Sequence, residues 1–221
     1  MAKTKKSAKS IILTITLVFL IIILAIFAVF NILFFQSPII GISMQPLYNE
    51  ELEEGKTTTY YESSKIKDKA YVYRYGKVSK NSIVMVEHTS TVEDKVVKRL
   101  LVKRVIAIGG ESVNIKRDPE SGNFYFYIND EKLEESYIKD ISRMEACYNN
   151  FNAYKIEKKG LSADEPLVLK DNELFVMGDN RGVSNDSSIF GPVKKSTVTG
   201  TVSFVVDHKE NLVQYLWKKI F

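Results

Sequence analysis

Thr197-Val-Thr-Gly-Thr-Val-Ser-Phe-Val-Val206 puts Val198, Val202, Phe204 and Val206 on one face of an extended chain and Thr197, Thr199, Thr201 and Ser203 on the other. Successive side chains of a strand point to opposite faces, so this alternation predicts a half-buried β-strand. Working outward, the same β-branched and aromatic composition recurs in Tyr71–Tyr75, Ser82–His88, Val96–Ile108, Phe124–Ile128 and Leu174–Met177, each bounded by turn formers. Helical periodicity is weak beyond one N-terminal segment. The chain is therefore predicted to be mainly β, an antiparallel domain of Greek-key or barrel-like kind.

The exception is Ile11 to Phe35, which carries no charge and only Thr14, Thr16 and Asn31 as polar members. As a helix it would be roughly 37 Å long at ~1.5 Å per residue, enough to cross a bilayer core of about 30 Å. A cleavable secretory signal shares the basic start, but its apolar stretch is shorter and ends in small residues, whereas this one exits through Asn31-Ile-Leu-Phe-Phe35. An uncleaved transmembrane anchor is expected. Lys3, Lys5, Lys6 and Lys9 precede it, and Glu50, Glu51, Glu53 and Glu54 follow before the next basic residue, Lys56. By the positive-inside rule the N-terminus is cytoplasmic and the rest lies outside the membrane.

The expected organisation is a basic N-terminus at 1–10, the anchor at 11–35, a β-domain in two parts at 36–117 and 172–210, and a C-terminal amphipathic segment at 211–221. Between the two parts, residues 118–171 contain Asp118-Pro-Glu-Ser-Gly122, Tyr148-Asn-Asn-Phe-Asn152 and Lys158-Lys-Gly160, a turn-rich stretch read as an inserted cap or small subdomain. In the last segment Leu212, Leu216 and Ile220 share a helical face; a packed helix is expected, with an interfacial membrane contact as the alternative.

Composition narrows the function classes. Of the 221 residues, 45% are hydrophobic and 26% charged, and the net charge of +4 comes largely from the N-terminal lysines, which gives no case for nucleic-acid binding. A single cysteine, Cys147, rules out an intramolecular disulfide, and with only His88 and His208 beside it no metal site or cofactor is expected.

Three stretches carry candidate chemistry. Gly41-Ile-Ser43-Met-Gln-Pro46 sets a serine between a residue without a Cβ and a direction-fixing proline, eight residues past the anchor. In Val97-Lys-Arg-Leu-Leu-Val-Lys103-Arg-Val-Ile-Ala-Ile-Gly-Gly110 strand alternation aligns Lys103 with Leu101, Val105 and Ala107 and turns Arg104 the other way. Desolvation among apolar neighbours lowers a lysine pKa and turns a cation into a usable base. Met177-Gly-Asp-Asn-Arg-Gly-Val-Ser184-Asn-Asp-Ser-Ser-Ile-Phe-Gly191 is a loop dense in groups that hydrogen-bond their own backbone. Taken singly these read as a linker turn, a snorkelling strand lysine and a structural loop.

Together and in this order they resemble the boxes of the bacterial type I signal peptidases, serine proteases with a Ser-Lys dyad. The resemblance covers residues 1–206 in outline. It implies Ser43 as nucleophile, Lys103 as general base, Ser184 as the hydroxyl that orients the base, and Asp179 paired with Arg104. Met44 and Pro46, with strand 82–88, are implied near the substrate. It further implies exported preproteins as partners, with small residues at the first and third positions before the cut, and membrane lipid as surroundings. Asp186 belongs to the supporting set, but the family's Asp-Ser-Arg is Asp186-Ser187-Ser188 here, so Arg181 is the expected replacement neighbour. Asn81-Ser82 stands for the family's Gly-Asp, and Gly41 leaves the second oxyanion donor unassigned.

Other classes fit less well. A nucleophile elbow is missing its second glycine at Gln45, which removes the case for a Ser-His-Asp hydrolase. Soluble self-cleaving repressors share the Ser-Lys chemistry but carry a DNA-binding domain in place of an anchor. The remaining alternative is a catalytically silent homologue acting as a membrane assembly or binding factor; such proteins lose the serine or the lysine, and both are present here.

Overall fold

The computed structural model describes residues 8–52, 67–92 and 94–220. The expected basic residues before Ala8, and Lys56, lie outside them. The chain divides into two units, Met1–Phe35 and Gln36–Phe221.

The first unit is dominated by helix α1, Ala8–Leu33, the one helix among the described residues long and apolar enough to cross a membrane. Its 26 residues rise about 39 Å. Its Thr14, Thr16 and Asn31 side chains donate to the carbonyls of Ser10, Ile12 and Phe27, four residues back, which lowers the cost of placing them in an apolar medium.

In the second unit the strands are β1 (Phe34–Pro38, straddling the boundary), β2 (Lys69–Tyr73), β3 (Ile83–Val92), β4 (Lys95–Ile108), β5 (Ser112–Arg117), β6 (Phe124–Ile128), β7 (Glu131–Lys132), β8 (Leu167–Val168), β9 (Glu173–Met177), β10 (Val193–Lys194) and β11 (Val198–Val206). They form a seven-stranded sheet, β1-β2-β11-β3-β4-β9-β10, and a four-stranded sheet, β7-β6-β5-β8. The pairs β2/β11, β11/β3, β3/β4, β4/β9, β9/β10 and all pairs of the smaller sheet are antiparallel. The mainly β expectation therefore holds. Two bulges in β11, one between Val198 and Gly200 against β3 and one between Val202 and Phe204 against β2, interrupt the alternation that predicted it. Each extra residue turns the following side chains to the other face.

The four-stranded sheet starts at Ser112 and closes with β8. A helix, α2 (Met144–Tyr154), covers it where the sequence reading saw only turns. Its Asn-rich composition dilutes the periodic signal, yet Met144, Cys147 and Phe151 lie at i, i+3 and i+7 and are buried against Val113, Ile115, Phe126 and Phe175. A second apolar cluster, Val84, Val86, Val105, Leu174, Val176 and Val193, belongs to the larger sheet. One strand serves both cores, because β4 contributes Val105 to the second cluster and Ile106 and Ala107 to the first. Two short helices complete the unit, α3 (Ser187–Phe190) and α4 (Leu212–Ile220).

Candidate functional site

The site forms where β4 meets two loops. Lys103 stands on β4 directly opposite Val84 of β3, two residues from Val105, so its stem runs along the valine cluster. It is 2% exposed. Its ammonium donates to Ser43 Oγ at 2.8 Å across 60 residues of sequence. Burial pushes the lysine pKa down from 10.5 to about 8, with the carboxylates of Asp186 and Asp179 pulling the other way.

A second buried lysine shows why burial alone does not make a base. Lys155 has no exposed surface, but its ammonium donates to Asn114 Oδ1 and to the carbonyls of Ala163 and Glu165. Burial lowers its pKa too, with Asp164 and Glu165 pulling the other way, but three oxygen acceptors match the three donors of an ammonium and leave no acceptor that would take its proton. Among the described residues Lys103 has only the serine hydroxyl, so its proton is held far more weakly.

Ser43 is held from two sides. Asn180 donates its amide to the Ser43 carbonyl at 3.0 Å and its Nδ2 to the Ile42 carbonyl at 3.3 Å. Gly178 lies so close that a Cβ there would stand 2.4 Å from the Ser43 carbonyl oxygen and 2.2 Å from Ser184 Oγ, so no larger residue fits. On the other side Asn49, in the left-handed region at φ 55°, donates Nδ2 to the carbonyls of Ile39 and Gly41. Its Oδ1 accepts from the Asp68 amide, and its own amide donates to Asp68 Oδ2. Asn49, which follows the Ile39–Tyr48 turn, thus ties its start and its end to Asp68, the residue that leads into β2. The turn also contains Gly41 at φ 83°, a conformation glycine adopts freely.

Neither Asn49 nor Asp68 was singled out from the sequence, since nothing in their spacing marks them as partners. Asn49→Ala is expected to leave buried carbonyls unpaired at about 1–3 kcal/mol each and to lower kcat about 10- to 100-fold through misplacement of Ser43, with KM changing less. Steady-state kinetics and an unfolding curve on the same variant check this.

The supporting residues divide. Arg104, on the opposite face of β4 from Lys103, grips Asp179 through two parallel bonds, Nε to Oδ1 at 2.8 Å and Nη2 to Oδ2 at 2.6 Å, and its guanidinium lies 3.8 Å from the Tyr137 ring centre. Asp186 is fully buried and accepts from the amides of Gly178 and Ser188 and from Ser188 Oγ. Arg181, its expected neighbour, pairs instead with Glu135, so Ser188 and two backbone amides do the work assigned to an arginine. Ser184 is 4% exposed, and among the described residues its hydroxyl has no hydrogen-bond partner, Lys103 included.

A cleft of about 600 Å³ opens at Ser43 and Lys103, lined on one side by Ile40, Gly41 and Ile42 and on the other by Lys98 to Leu101 of β4, with Val183 and Asn185 beside them. Here β4 has a free edge. Its register with β3 runs from Lys95 to Arg104, whereas β9 pairs with it only from Arg104 onward, so among the described residues 95–103 lack a second neighbour. Met44 and Pro46, expected near the substrate, do not line this cleft. Met44 is 1% exposed in the interior, and Pro46 lines a separate cavity with Lys139, Asp140 and Arg143. Strand 82–88 is likewise replaced in the cleft wall by its hairpin partner, β4.

One group of side chains has metal-like spacing, with ligand atoms of Asp68, Asp207 and His208 within 4.8 Å of one another. The Asp68 oxygens are already engaged by the amides of Asn49 and His208, so this group reads as bracing for the Ser43 turn.

The family model described as "Signal peptidase, peptidase S26" matches residues 11–207. Signal peptidase I V of Bacillus subtilis is 24% identical over 173 residues, covering 78% of this chain and 86% of that protein. Signal peptidase I U of the same organism is 32% identical over 117 residues, or 52% of this chain and 54% of the relative. Signal peptidase IB of Staphylococcus aureus is 29% identical over 133 residues, 60% of this chain and 62% of the relative. Against these last two the matched region spans little more than half of the relative's length. A crystal structure of a signal peptidase I from Enterococcus faecalis shares 23% identity, covering 58% of this chain and 98% of that one, with a TM-score of 0.37.

Proposed function

The chain belongs to the signal peptidase family, peptidase S26, and from that premise we propose that it is a membrane-bound serine endopeptidase removing N-terminal signal peptides from exported preproteins. One observation carries the mechanism: a buried lysine amine, its pKa lowered to about 8, lies 2.8 Å from a serine hydroxyl at the mouth of a cleft. Neutral Lys103 accepts the Ser43 proton as Oγ attacks the scissile carbonyl, then gives it to the leaving amine; water releases the acyl group by the same relay. Ser184, buried and without a partner, supplies a hydroxyl that orients the amine once Ser43 has given up its proton. The silent-homologue alternative has no observation in its favour.

The signal peptide lies in this reading as an extended strand between the free edge of β4 and residues 40–42, pairing with backbone that has no other neighbour. Small side chains at the first and third positions before the cut fit between these walls. The chain crosses the membrane once through α1, with the N-terminus cytoplasmic and the β-domain outside.

The test is cleavage of a preprotein carrying a small-x-small site by the purified full-length protein, read by N-terminal sequencing of the product. A single new N-terminus after the second small residue is expected. In the same assay kcat/KM should climb about tenfold per pH unit up to about pH 8 and then level, since only the neutral amine accepts a proton and at pH 7 about a tenth of it is neutral. No cleavage, or a rate flat across that range, would contradict the mechanism.

A further inference from the structure

The cleft carries charge of one sign. Lys98, Arg99 and Lys103 are the charged residues that line it, and among its described lining residues there is no carboxylate. The three are not equivalent. Lys98 is paired, its ammonium 3.0 Å from Glu87 Oε1 on the neighbouring strand, and Lys103 is buried and donates to Ser43. Arg99 is exposed, and among the described residues its guanidinium has no hydrogen-bond or ion-pair partner.

Strand geometry says where that guanidinium stands. β4 pairs with β3 without a break from Lys95 to Arg104, so Arg99, Leu101 and Lys103 share one face, while Lys98 and Leu100 share the other. Arg99 is four residues from the base, about 13 Å at ~3.3 Å per residue. Directly opposite it on β3, His88 is taken up in a stack on Phe190 at 4.1 Å between ring centres, and the diagonal neighbours Val86 and Ser90 carry no charge. A fork of five N–H donors thus faces a cleft that offers it nothing of opposite sign, which is the site a carboxylate fits best.

The occupant's register follows from the free edge. β9 takes up β4 from Arg104 onward, so the unpaired stretch runs only from Lys103 back towards Lys95. A signal peptide with its scissile carbonyl at Ser43 therefore lays the residues before the cut along that stretch. Two extended chains advance by nearly the same rise per residue, so the first residue before the cut lies alongside Lys103, the third alongside Leu101 and the fifth alongside Arg99. The fifth is the first side chain on this face beyond the two small ones.

We propose that Arg99 forms a subsite for the fifth residue before the cut, selecting preproteins with a carboxylate there and disfavouring those with a lysine or arginine. This rests on the reading of the chain as a signal peptidase acting through Ser43 and Lys103, and adds a substrate preference to it. The contact is remote from the reacting carbonyl and is made in ground state and transition state alike, so it acts on KM more than on kcat.

The test uses the purified full-length protein and preproteins that differ only by Glu, Ala or Lys at the fourth, fifth or sixth position before the cut. At the fifth position kcat/KM for Glu is expected to exceed that for Lys by about 3- to 10-fold, since a partly exposed charge contact is attractive in one and repulsive in the other. The ratio should shrink towards one in about 0.5 M salt. Arg99→Lys should keep the sign of the preference and Arg99→Gln remove it. Arg99→Glu should invert it, making the lysine substrate the better one, an outcome that a damaged fold does not mimic. Lys98→Gln, on the other face, should leave the ratio in place. A parent indifferent to the fifth residue overturns the proposal. So does a preference that survives in Arg99→Glu, one that Lys98→Gln removes as completely as Arg99→Gln, or one found at the fourth or sixth position and absent from the fifth. Failure of the parent to cut any of these preproteins, the alanine ones included, would instead strike the reading of Ser43 and Lys103, and the subsite with it.

Discussion

Replacing Ser43 or Lys103 with alanine is expected to lower preprotein cleavage by about 10³-fold or more, the scale on which serine proteases lose activity when a nucleophile or base is removed. Lys103→Arg should fail equally, because a guanidinium does not release its proton at working pH. Stability should move in the opposite direction for an apolar replacement. The folded pKa of about 8 lies below the ordinary 10.5, so between those values the folded chain binds fewer protons than the unfolded one and stability rises with pH. Below about pH 8 both states are protonated and the folded state carries the full cost of a buried cation, roughly 3 kcal/mol. Lys103→Met fills the same space without the charge. At neutral pH it should therefore unfold at higher denaturant than the parent, by up to roughly 3 kcal/mol less the lost bond to Ser43, and its stability should lose the rise between about pH 8 and 10.5. A less stable Lys103→Met, or an active one, would remove the buried base from the account.

Asp179→Ala is expected to give the largest structural loss. Its carboxylate is wholly buried and meets an Arg104 side chain only 10% exposed, so deleting it strands a guanidinium in the interior at about 3–5 kcal/mol. Cleavage should fall with stability, because the next residue, Asn180, holds the Ser43 carbonyl. The double variant Arg104→Met/Asp179→Leu separates the two effects. It removes both charges, so it should recover much of the stability, as buried ion pairs replaced by apolar residues often do. Denaturant unfolding of the two variants side by side reads the difference, and equal losses would mean that the pair contributes through packing alone.

Several elements of this architecture were readable residue by residue. Ile11 to Phe35 announced a span through composition, and β3, β4 and β9 announced themselves through branched and aromatic content. Other features were hidden for physical reasons. Helix α2 carries three asparagines that dilute its apolar period of Met144, Cys147 and Phe151, so the local signal was weaker than the tertiary burial that stabilises it. The bulges of β11 shift register in the folded sheet, although the residue pattern of the sequence alternates straight through them. Arg181 looked like a partner for Asp186 because it is close in sequence, yet it pairs with Glu135, remote along the chain, while Asp186 is occupied by the amides of Gly178 and Ser188 and the Ser188 hydroxyl.

What the sequence determined by itself was the menu of local states and chemical types: an uncharged helix long enough for a bilayer, strands with one apolar face, a serine after the span, and a lysine on an apolar strand face. These follow from the period of each element and the solvation of each side chain, which neighbours along the chain dictate. Which of the two lysines buried among the described residues is placed to serve as the proposed base was decided only by tertiary structure. Burial lowers the pKa of both, but Lys155 folded among three oxygen acceptors whereas Lys103 was brought across 60 residues to a single hydroxyl, a placement that only the folded chain creates.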